Sequence, residues 1–191
     1  MTARPWLVLL GAYLLGSIPT AYIVARIVAG MDIRRLGDGN VGAKNTLESV
    51  GRLAGLVVAV ADVGKGVLAV AMARYFSATE EVTLLAGMCA VLGHDFSLFL
   101  RLQGGQGMAT TVGVFGALFP QETAVGLIAL AIVYAVTRNW DLSCGIGLGL
   151  LAMVMWIAGQ STLRVLYAMT LLPIIGVKKL LQVWRGRHVA A

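Results

Sequence analysis

Charge and cysteine are both scarce in this sequence. Only 13% of its 191 residues are charged and 59% are hydrophobic, whereas an ordinary soluble domain has about 25% charged and about 45–50% apolar residues. A soluble fold of this length would need more polar surface to cover its core. Cys89 and Cys144 lie inside apolar runs, which argues against a disulfide scaffold. The composition excludes a soluble domain, a disordered chain and a fibrous repeat, and it predicts an integral membrane protein.

The sequence signatures of several common sites are also missing. No second histidine or cysteine lies at ligand spacing from His94, so we expect no metal site. The chain has no Gly-x-Ser-x-Gly nucleophile elbow, and its glycine-rich loops match neither the dinucleotide fingerprint nor the P-loop. Lysine and arginine never run longer than two residues. We therefore expect the net charge of +6 to reflect membrane orientation, with no nucleic-acid partner.

Seven apolar stretches are predicted to form the membrane helices. Because a helix needs about 20 apolar residues to cross the hydrocarbon core, we place the seven at residues 6–29, 53–73, 82–100, 108–119, 123–136, 144–158 and 165–183. The first is interrupted at Ser17-Ile18-Pro19 and is too long for a cleaved signal peptide. The fourth would reach only about 18 Å. It is either a half-helix shielded from lipid or a longer helix that includes part of residues 104–107.

The distribution of basic residues predicts the orientation of these helices. If the N-terminus is outside, most of the lysine and arginine residues in the connecting loops and at the C-terminus fall on the cytoplasmic side. We therefore predict an all-α transmembrane bundle of about seven helices, one of them short or broken, with the N-terminus outside and the C-terminus inside. We treat residues 1–191 as a single domain.

Two glycine-rich loops, residues 37–45 and 103–110, hold most of the polar residues on the predicted cytoplasmic side. Glycine permits backbone conformations in which successive N–H groups point into one concavity. A helix that begins after such a loop adds partial positive charge. Both loops can therefore hold an anionic group at the membrane surface. The alternative is that they are turns between helices, because glycine is abundant in membrane proteins.

The predicted membrane helices contain ionisable residues, of which Asp62, Lys65 and His94 are candidates for a functional site. Asp62 and Lys65 are three positions apart, so they share a helix face and can pair. This pair either locks the second helix against its neighbours or places Lys65 near an anion inside the bundle. His94 is either a general base, because histidine titrates near neutrality, or a structural hydrogen-bond donor.

A set of short motifs extends over nearly the whole chain. The motifs are Gly16-Ser17-Ile18-Pro19, Asp32-Ile33-Arg34, Gly39-Asn40, Gly42-Ala43, Asn45, Asp62, Lys65-Gly66, Gly93-His94, Phe96, Gly104-Gly105, Gly107 and Ala109-Thr110. Together they resemble the acyl-phosphate-dependent glycerol-3-phosphate acyltransferases of bacterial inner membranes. That family also has seven spans and an outside N-terminus.

The resemblance implies transfer of an acyl chain from acyl phosphate to glycerol 3-phosphate, which gives lysophosphatidic acid for phospholipid synthesis. The reaction would take place at the cytoplasmic face of the bacterial inner membrane, with no metal, no coenzyme A and no other cofactor. The phosphate-binding positions implied by the motifs are Gly39, Asn40, Gly42, Asn45, Gly104, Gly105 and Gly107. The candidate catalytic residues are Lys44, Lys65 and His94, and Arg34 and Arg35 are further candidate cations.

Four positions depart from the family pattern in charge. The family's usual Ser and Thr in the first loop are Asp38 and Lys44 here, and its usual Lys in the second loop is Gln106. The family's usual Arg, three residues after Asn45, is Glu48. The loops are therefore more negative than the family pattern by three charges, which would weaken the binding of phosphate.

These departures leave a second function open beside the acyltransferase. The chain would then be a catalytically impaired or inactive relative that binds a lipid, a phosphate ligand or an active partner. A small transporter that uses the short fourth helix and the Asp62–Lys65 pair is a third hypothesis, although no internal repeat supports it. The oligomeric state is not predicted.

Overall fold

A computed structural model describes residues 4–76 and 78–189, without the side chains of residues 172, 175 and 179–189. Within these ranges the chain forms nine α-helices and no strand. The helices are α1 (Pro5–Ser17), α2 (Thr20–Ala29), α3 (Ala43–Ser49), α4 (Arg52–Tyr75), α5 (Glu80–Asp95), α6 (Met108–Leu118), α7 (Pro120–Thr137), α8 (Trp140–Ile157) and α9 (Thr162–Val189). Two 3-10 turns, Ile33–Arg35 and Leu98–Leu100, lie in the connections. The predicted all-α fold is confirmed.

The bundle is apolar outside and carries polar side chains inside. Large apolar side chains such as Leu53, Val136 and Trp156 are more than 70% exposed, whereas Asp62 and Lys65 are buried. This arrangement suits a protein whose surroundings are hydrocarbon and whose ionisable groups must face the bundle interior.

Five stretches of the described residues are long and apolar enough to cross a membrane. They are Pro5–Ala29, Arg52–Tyr75, Glu80–Leu100, Pro120–Thr137 and Trp140–Ile157. The fourth predicted helix is the short one: α6 begins at Met108, and residues 104–107 stay outside it. All seven predicted stretches coincide with helices, and their number as membrane spans and their orientation stay predictions.

The break in the first predicted span creates a contact point for other helices. α1 ends at Ser17 and α2 begins after Pro19, because proline has no N–H to continue the backbone hydrogen bonds. Two carbonyl oxygens at the break accept bonds from elsewhere in the chain. Lys65 Nζ donates to the oxygen of Ile18 (3.0 Å), and Ser97 Oγ donates to that of Ser17 (2.5 Å). The break therefore joins α1 to α4 and to the connection that follows α5.

Glycines bring α4 and α6 close together. A Cβ at Gly66 would meet the backbone oxygen of Thr110, and a Cβ at Gly113 would meet that of Val63. Small residues at a helix crossing let the two backbones approach, which is the usual way to pack helices in lipid. This crossing places the start of α6 beside the middle of α4, where Asp62 lies.

We expect Gly66→Ala to destabilise the protein by about 1–3 kcal/mol, because the added methyl group must push α6 away from α4. The matched control is Gly64→Ala in the same helix, where a Cβ would meet no atom within 4 Å. That variant should stay within about 1 kcal/mol of the unaltered protein. Thermal unfolding in detergent micelles measures both, and equal losses from the two substitutions would contradict this account of the crossing.

Candidate active site

One cavity of about 130 Å³ is lined by both glycine-rich loops. Its polar wall has contributions from five parts of the chain. The polar lining residues are Asp38, Asn40 and Lys44 from the first loop, Gln106 from the second, Asp141 from the first turn of α8, and Asp62 and His94 from α4 and α5. Because one cavity touches all of these, the two loops and the first turn of α8 lie at the same end of the bundle.

A buried ion pair lies at the α4 side of this cavity. Lys65 Nζ is 2.8 Å from Asp62 Oδ1, and both side chains are at most 5% exposed. Thr20 Oγ1 donates a hydrogen bond to the same carboxylate oxygen, and His94 Nδ1 lies 3.6 Å from it. The pair satisfies two charges that would be costly to bury alone. It also ties α4 to α2, since Thr20 opens that helix.

Lys65 and His94 occupy different positions around Asp62. His94 lines the cavity, so its ring is placed to contact a bound molecule. Lys65 is not among the described residues that line this cavity, and its ammonium group binds Asp62 and the Ile18 carbonyl instead. These contacts match the hypothesis that the Asp62–Lys65 pair holds α4 against its neighbours.

The first loop is held in shape by Asn45. Asn45 Nδ2 lies 2.9 Å from the backbone oxygens of Leu36 and Asn40 and 3.2 Å from that of Ile33.

Asp38 Oδ1 accepts the backbone N–H of Asn40 at 2.9 Å, which is the hydrogen bond of an Asx turn. The loop therefore directs Asn40, with Gly42 and Lys44, at the cavity. Asn45 holds the loop from inside, and Gly39 takes its positive φ of 72°.

The second loop folds back onto the end of α5. The N–H of Gly104 donates to the Asp95 oxygen (3.1 Å), and that of Gly105 donates to the His94 oxygen (3.0 Å). A Cβ at Gly104 would collide with the backbone oxygen of His94, and one at Gly105 would collide with its imidazole ring. These two glycines therefore pack against the backbone and ring of His94, while Gly107, the N-cap of α6, reaches the cavity.

Among the described residues that line the cavity, Lys44 is the one that is a lysine or an arginine. Its side chain is 50% exposed, and its Nζ lies 4.0 Å from Glu48 Oε1. An exposed pair of this length contributes less than about 1 kcal/mol, so the ammonium group can turn toward a bound anion. Glu48 itself is not among the described lining residues, unlike Asp38 and Gln106.

Arg34 and Arg35 are placed away from the cavity lining. Arg34 binds Asp32 at 2.7 Å and lies over the ring of Tyr22 at 5.4 Å. The hydrogen bonds from Arg34 hold the pKa of the Asp32 carboxyl below its usual range, so this pair stays ionised near neutral pH. Arg35 is exposed. The described residues contain no group of three or more metal-ligating side chains placed to hold an ion.

Sequence reasoning missed the contribution of α8. Trp140 and Asp141 begin that helix and line the cavity, and the Tyr134 ring meets the Trp140 ring edge-on at 5.7 Å. No motif marks these residues. The available signal was topological, because the turn between α7 and α8 is predicted on the same side as the two glycine-rich loops.

The sequence is similar to known proteins of one kind. A family model described as glycerol-3-phosphate acyltransferase matches residues 6–187. Glycerol-3-phosphate acyltransferase 1 of Dehalococcoides mccartyi is 38% identical over 176 residues, which cover 89% of this chain and 85% of that protein. Glycerol-3-phosphate acyltransferase 2 of Moorella thermoacetica is 52% identical over 116 residues, which cover 60% of this chain and 59% of that protein.

Two solved structures share the fold. Both are crystal structures of PlsY (YgiH), an integral membrane glycerol 3-phosphate acyltransferase. The glycerol 3-phosphate form has a TM-score of 0.86 and 26% sequence identity, and the lysophosphatidic acid form has 0.84 and 25%. Each comparison covers 97% of this chain and 94% of the other.

The buried pair predicts a coupled response to substitution. Asp62→Asn leaves the Lys65 ammonium without its carboxylate, and Lys65→Met leaves the carboxylate without its cation. Each should cost about 3–5 kcal/mol of stability, because an unpaired charge then stays buried. The double variant should cost clearly less than the sum of the two. Thermal unfolding of all four proteins gives the coupling, and strictly additive losses would show that the two side chains do not interact.

Proposed function

The chain belongs to the glycerol-3-phosphate acyltransferase family, and from this we propose that it transfers an acyl chain from acyl phosphate to glycerol 3-phosphate, giving lysophosphatidic acid. The function is that of a membrane glycerol-3-phosphate acyltransferase. The comparisons do not favour the alternative of a non-catalytic relative. We further propose that the cavity faces the cytoplasm and that the protein lies in a bacterial inner membrane.

The observation that carries the proposal is the meeting of a polar cavity and an apolar one. Met108 lines the cavity between the glycine-rich loops, and it also lines an apolar pocket between α6, α7 and α8. The apolar pocket is bounded by side chains such as Phe115, Leu130 and Leu151. An acyl phosphate has one apolar and one anionic end. Its carbonyl group would therefore lie near Met108, with the chain among these helices and the phosphate between the loops.

The residues of the polar cavity would bind the phosphate groups and help to remove the proton of the acceptor hydroxyl. Lys44 and the loop amides would bind phosphate oxygens. The acceptor hydroxyl oxygen would then attack the acyl carbonyl carbon, and the bond from that carbon to the phosphate oxygen would break. The hydroxyl proton leaves to His94 or to the departing phosphate. Lys65 would act indirectly, because its pairing with Asp62 keeps the carboxylate beside the His94 ring in one position.

We expect the detergent-purified chain to make lysophosphatidic acid from acyl phosphate and labelled glycerol 3-phosphate. Lys44→Met should raise the KM for glycerol 3-phosphate about tenfold, because one hydrogen bond to a charged group is lost. Arg52→Met serves as the control. It removes an exposed cation at the start of α4 and should leave KM unchanged. Equal effects of the two substitutions would contradict the role of Lys44.

A second variant separates the acyltransferase from its impaired alternative. Gln106→Lys combined with Glu48→Arg restores the family's charge at these two positions and the net charge of the family pattern. Turnover by the unaltered chain supports the proposal. Turnover by the double variant alone would mean that the chain is a silenced acyltransferase, and it would overturn the proposed activity.

The acidic wall of the cavity should oppose phosphate binding. Asp141 lines the cavity on the side of α8, and a carboxylate there repels a phosphate dianion through a partly screened field. We expect Asp141→Asn to lower the KM for glycerol 3-phosphate by roughly threefold to tenfold. Glu81→Gln, at the exposed start of α5, is the matched control. A KM that rises in Asp141→Asn would show that this carboxylate helps to bind the acceptor.

A further inference from the structure

A buried lysine from α9 reaches the end of α5, beside the second glycine-rich loop. Lys178 is 3% exposed, and its Nζ donates a hydrogen bond to the backbone oxygen of Asp95. The same ammonium group lies 4.4 Å from the centroid of the Phe96 ring. In the sequence, Lys178 is one of the basic residues near the C-terminus that predict the orientation of the helices.

The oxygen that Lys178 binds also holds the second loop. The Asp95 carbonyl accepts the N–H of Gly104 at 3.1 Å, and the neighbouring His94 carbonyl accepts that of Gly105 at 3.0 Å. The ammonium group and the loop therefore share one acceptor atom. A displacement of that carbonyl would move the loop and the backbone of His94 together.

The surroundings explain why a cation is stable at this position. The last carbonyl groups of a helix carry partial negative charge, which favours a positive group at its C-terminal end. The face of the Phe96 ring adds a cation–π interaction. Asp95 also contributes a carboxylate that is fully buried, and neither of its oxygens has a hydrogen-bond partner among the residues described. A buried ammonium group is costly in a membrane protein, so this one is expected to have a role.

Two further contacts fix the same corner of the chain. Tyr13 in α1 donates its hydroxyl to the Phe96 oxygen at 2.7 Å, and Ser97 donates to the Ser17 oxygen at 2.5 Å. These two bonds hold the corner from the side of α1. Lys178 holds it from the side of α9, so the residues from His94 to Ser97 are clamped between two helices that are far apart in sequence.

We propose that Lys178 is a positioning residue: it holds the second glycine-rich loop through the bonds of Gly104 and Gly105, so that Gln106 and Gly107 face the cavity for a substrate phosphate. The role rests on the proposed function of that loop. Lys178 does not line the cavity. It acts through the Asp95 carbonyl, so it sets the position of Gly104 and Gly105 and not the charge in contact with substrate.

The chain offers a matched control on the same helix. Arg164 is near the start of α9, and its Nε lies 2.5 Å from Glu80 Oε1 at the start of α5. Both cations therefore join α9 to α5, one at each end. The Arg164–Glu80 pair is exposed and is therefore the weaker anchor, so its loss shows whether loosening of α9 at its other end reaches the second loop.

The test compares Lys178→Met with Arg164→Met by hydrogen–deuterium exchange of the peptide that contains Gly104 and Gly105. We expect Lys178→Met to speed exchange of these amides about tenfold, since a hydrogen bond from a charged group is lost, and to leave α4 unchanged. Arg164→Met should leave the loop unchanged. Unaltered loop exchange in Lys178→Met, or equal loosening in both variants, would overturn the proposal.

Kinetics provide a second readout. Lys178→Met should raise the KM for acyl phosphate or for glycerol 3-phosphate about tenfold, while kcat falls by less than about threefold. A fall in kcat with both KM values unchanged would contradict a role in holding the loop for a phosphate. The exchange measurement needs no turnover. An unaltered chain without activity would therefore overturn the proposed function, and the exchange result would still decide the positioning role.

A further variant covers the case in which Lys178→Met does not fold. Phe96→Leu removes the ring over which Nζ lies and keeps the ammonium group. We expect it to speed exchange of the Gly104 and Gly105 amides by about threefold, in line with the strength of a cation–π contact. Exchange equal to that of the unaltered protein would count against the proposal.

Discussion

The Asp62–Lys65 ion pair is the interaction on which the rest of the site depends. Two charges in the middle of a membrane helix are tolerable only if each neutralises the other and finds further polar partners. Those partners come from the break between α1 and α2, where Pro19 ends one helix and leaves carbonyl oxygens available. The carbonyl oxygen of Ile18 at the break in the first span therefore binds the Lys65 ammonium group of the second span. His94 lies beside the Asp62 carboxylate.

The glycine-rich loops are held by groups inside the bundle, and not only by contacts with each other. The first is held by the amide of Asn45, and the second by the carbonyl oxygens at the end of α5. Loops that bind anions through backbone amides need such support, because the amides are useful only when they point into one place. Packing of Gly104 and Gly105 directly on His94 makes the loop and the ring a single unit.

The charge of the cavity is unusual for a site that is proposed to bind phosphate. Asp38 and Asp141 line it together with Lys44, whereas Glu48 faces Lys44 outside the described lining. The structure thus reduces the charge difference predicted from the loops, because one of the four departures is not part of the wall. It adds an acidic residue from α8 that the loops did not reveal. Because the chain belongs to this family and its cavity has an acidic wall, its affinity for glycerol 3-phosphate is the property that most needs to be measured.

The sequence by itself determined the membrane class, the helical stretches, the two loops and the Asp62–Lys65 pair, because hydropathy, glycine content and a spacing of three residues are local properties. Even the short α6 was visible as a stretch too brief to cross the hydrocarbon core. Only the tertiary structure decided that His94 faces Asp62, that Trp140 and Asp141 complete the cavity, and that Lys178 reaches the Asp95 carbonyl. These contacts join residues far apart in the chain, and helix packing alone brings them together.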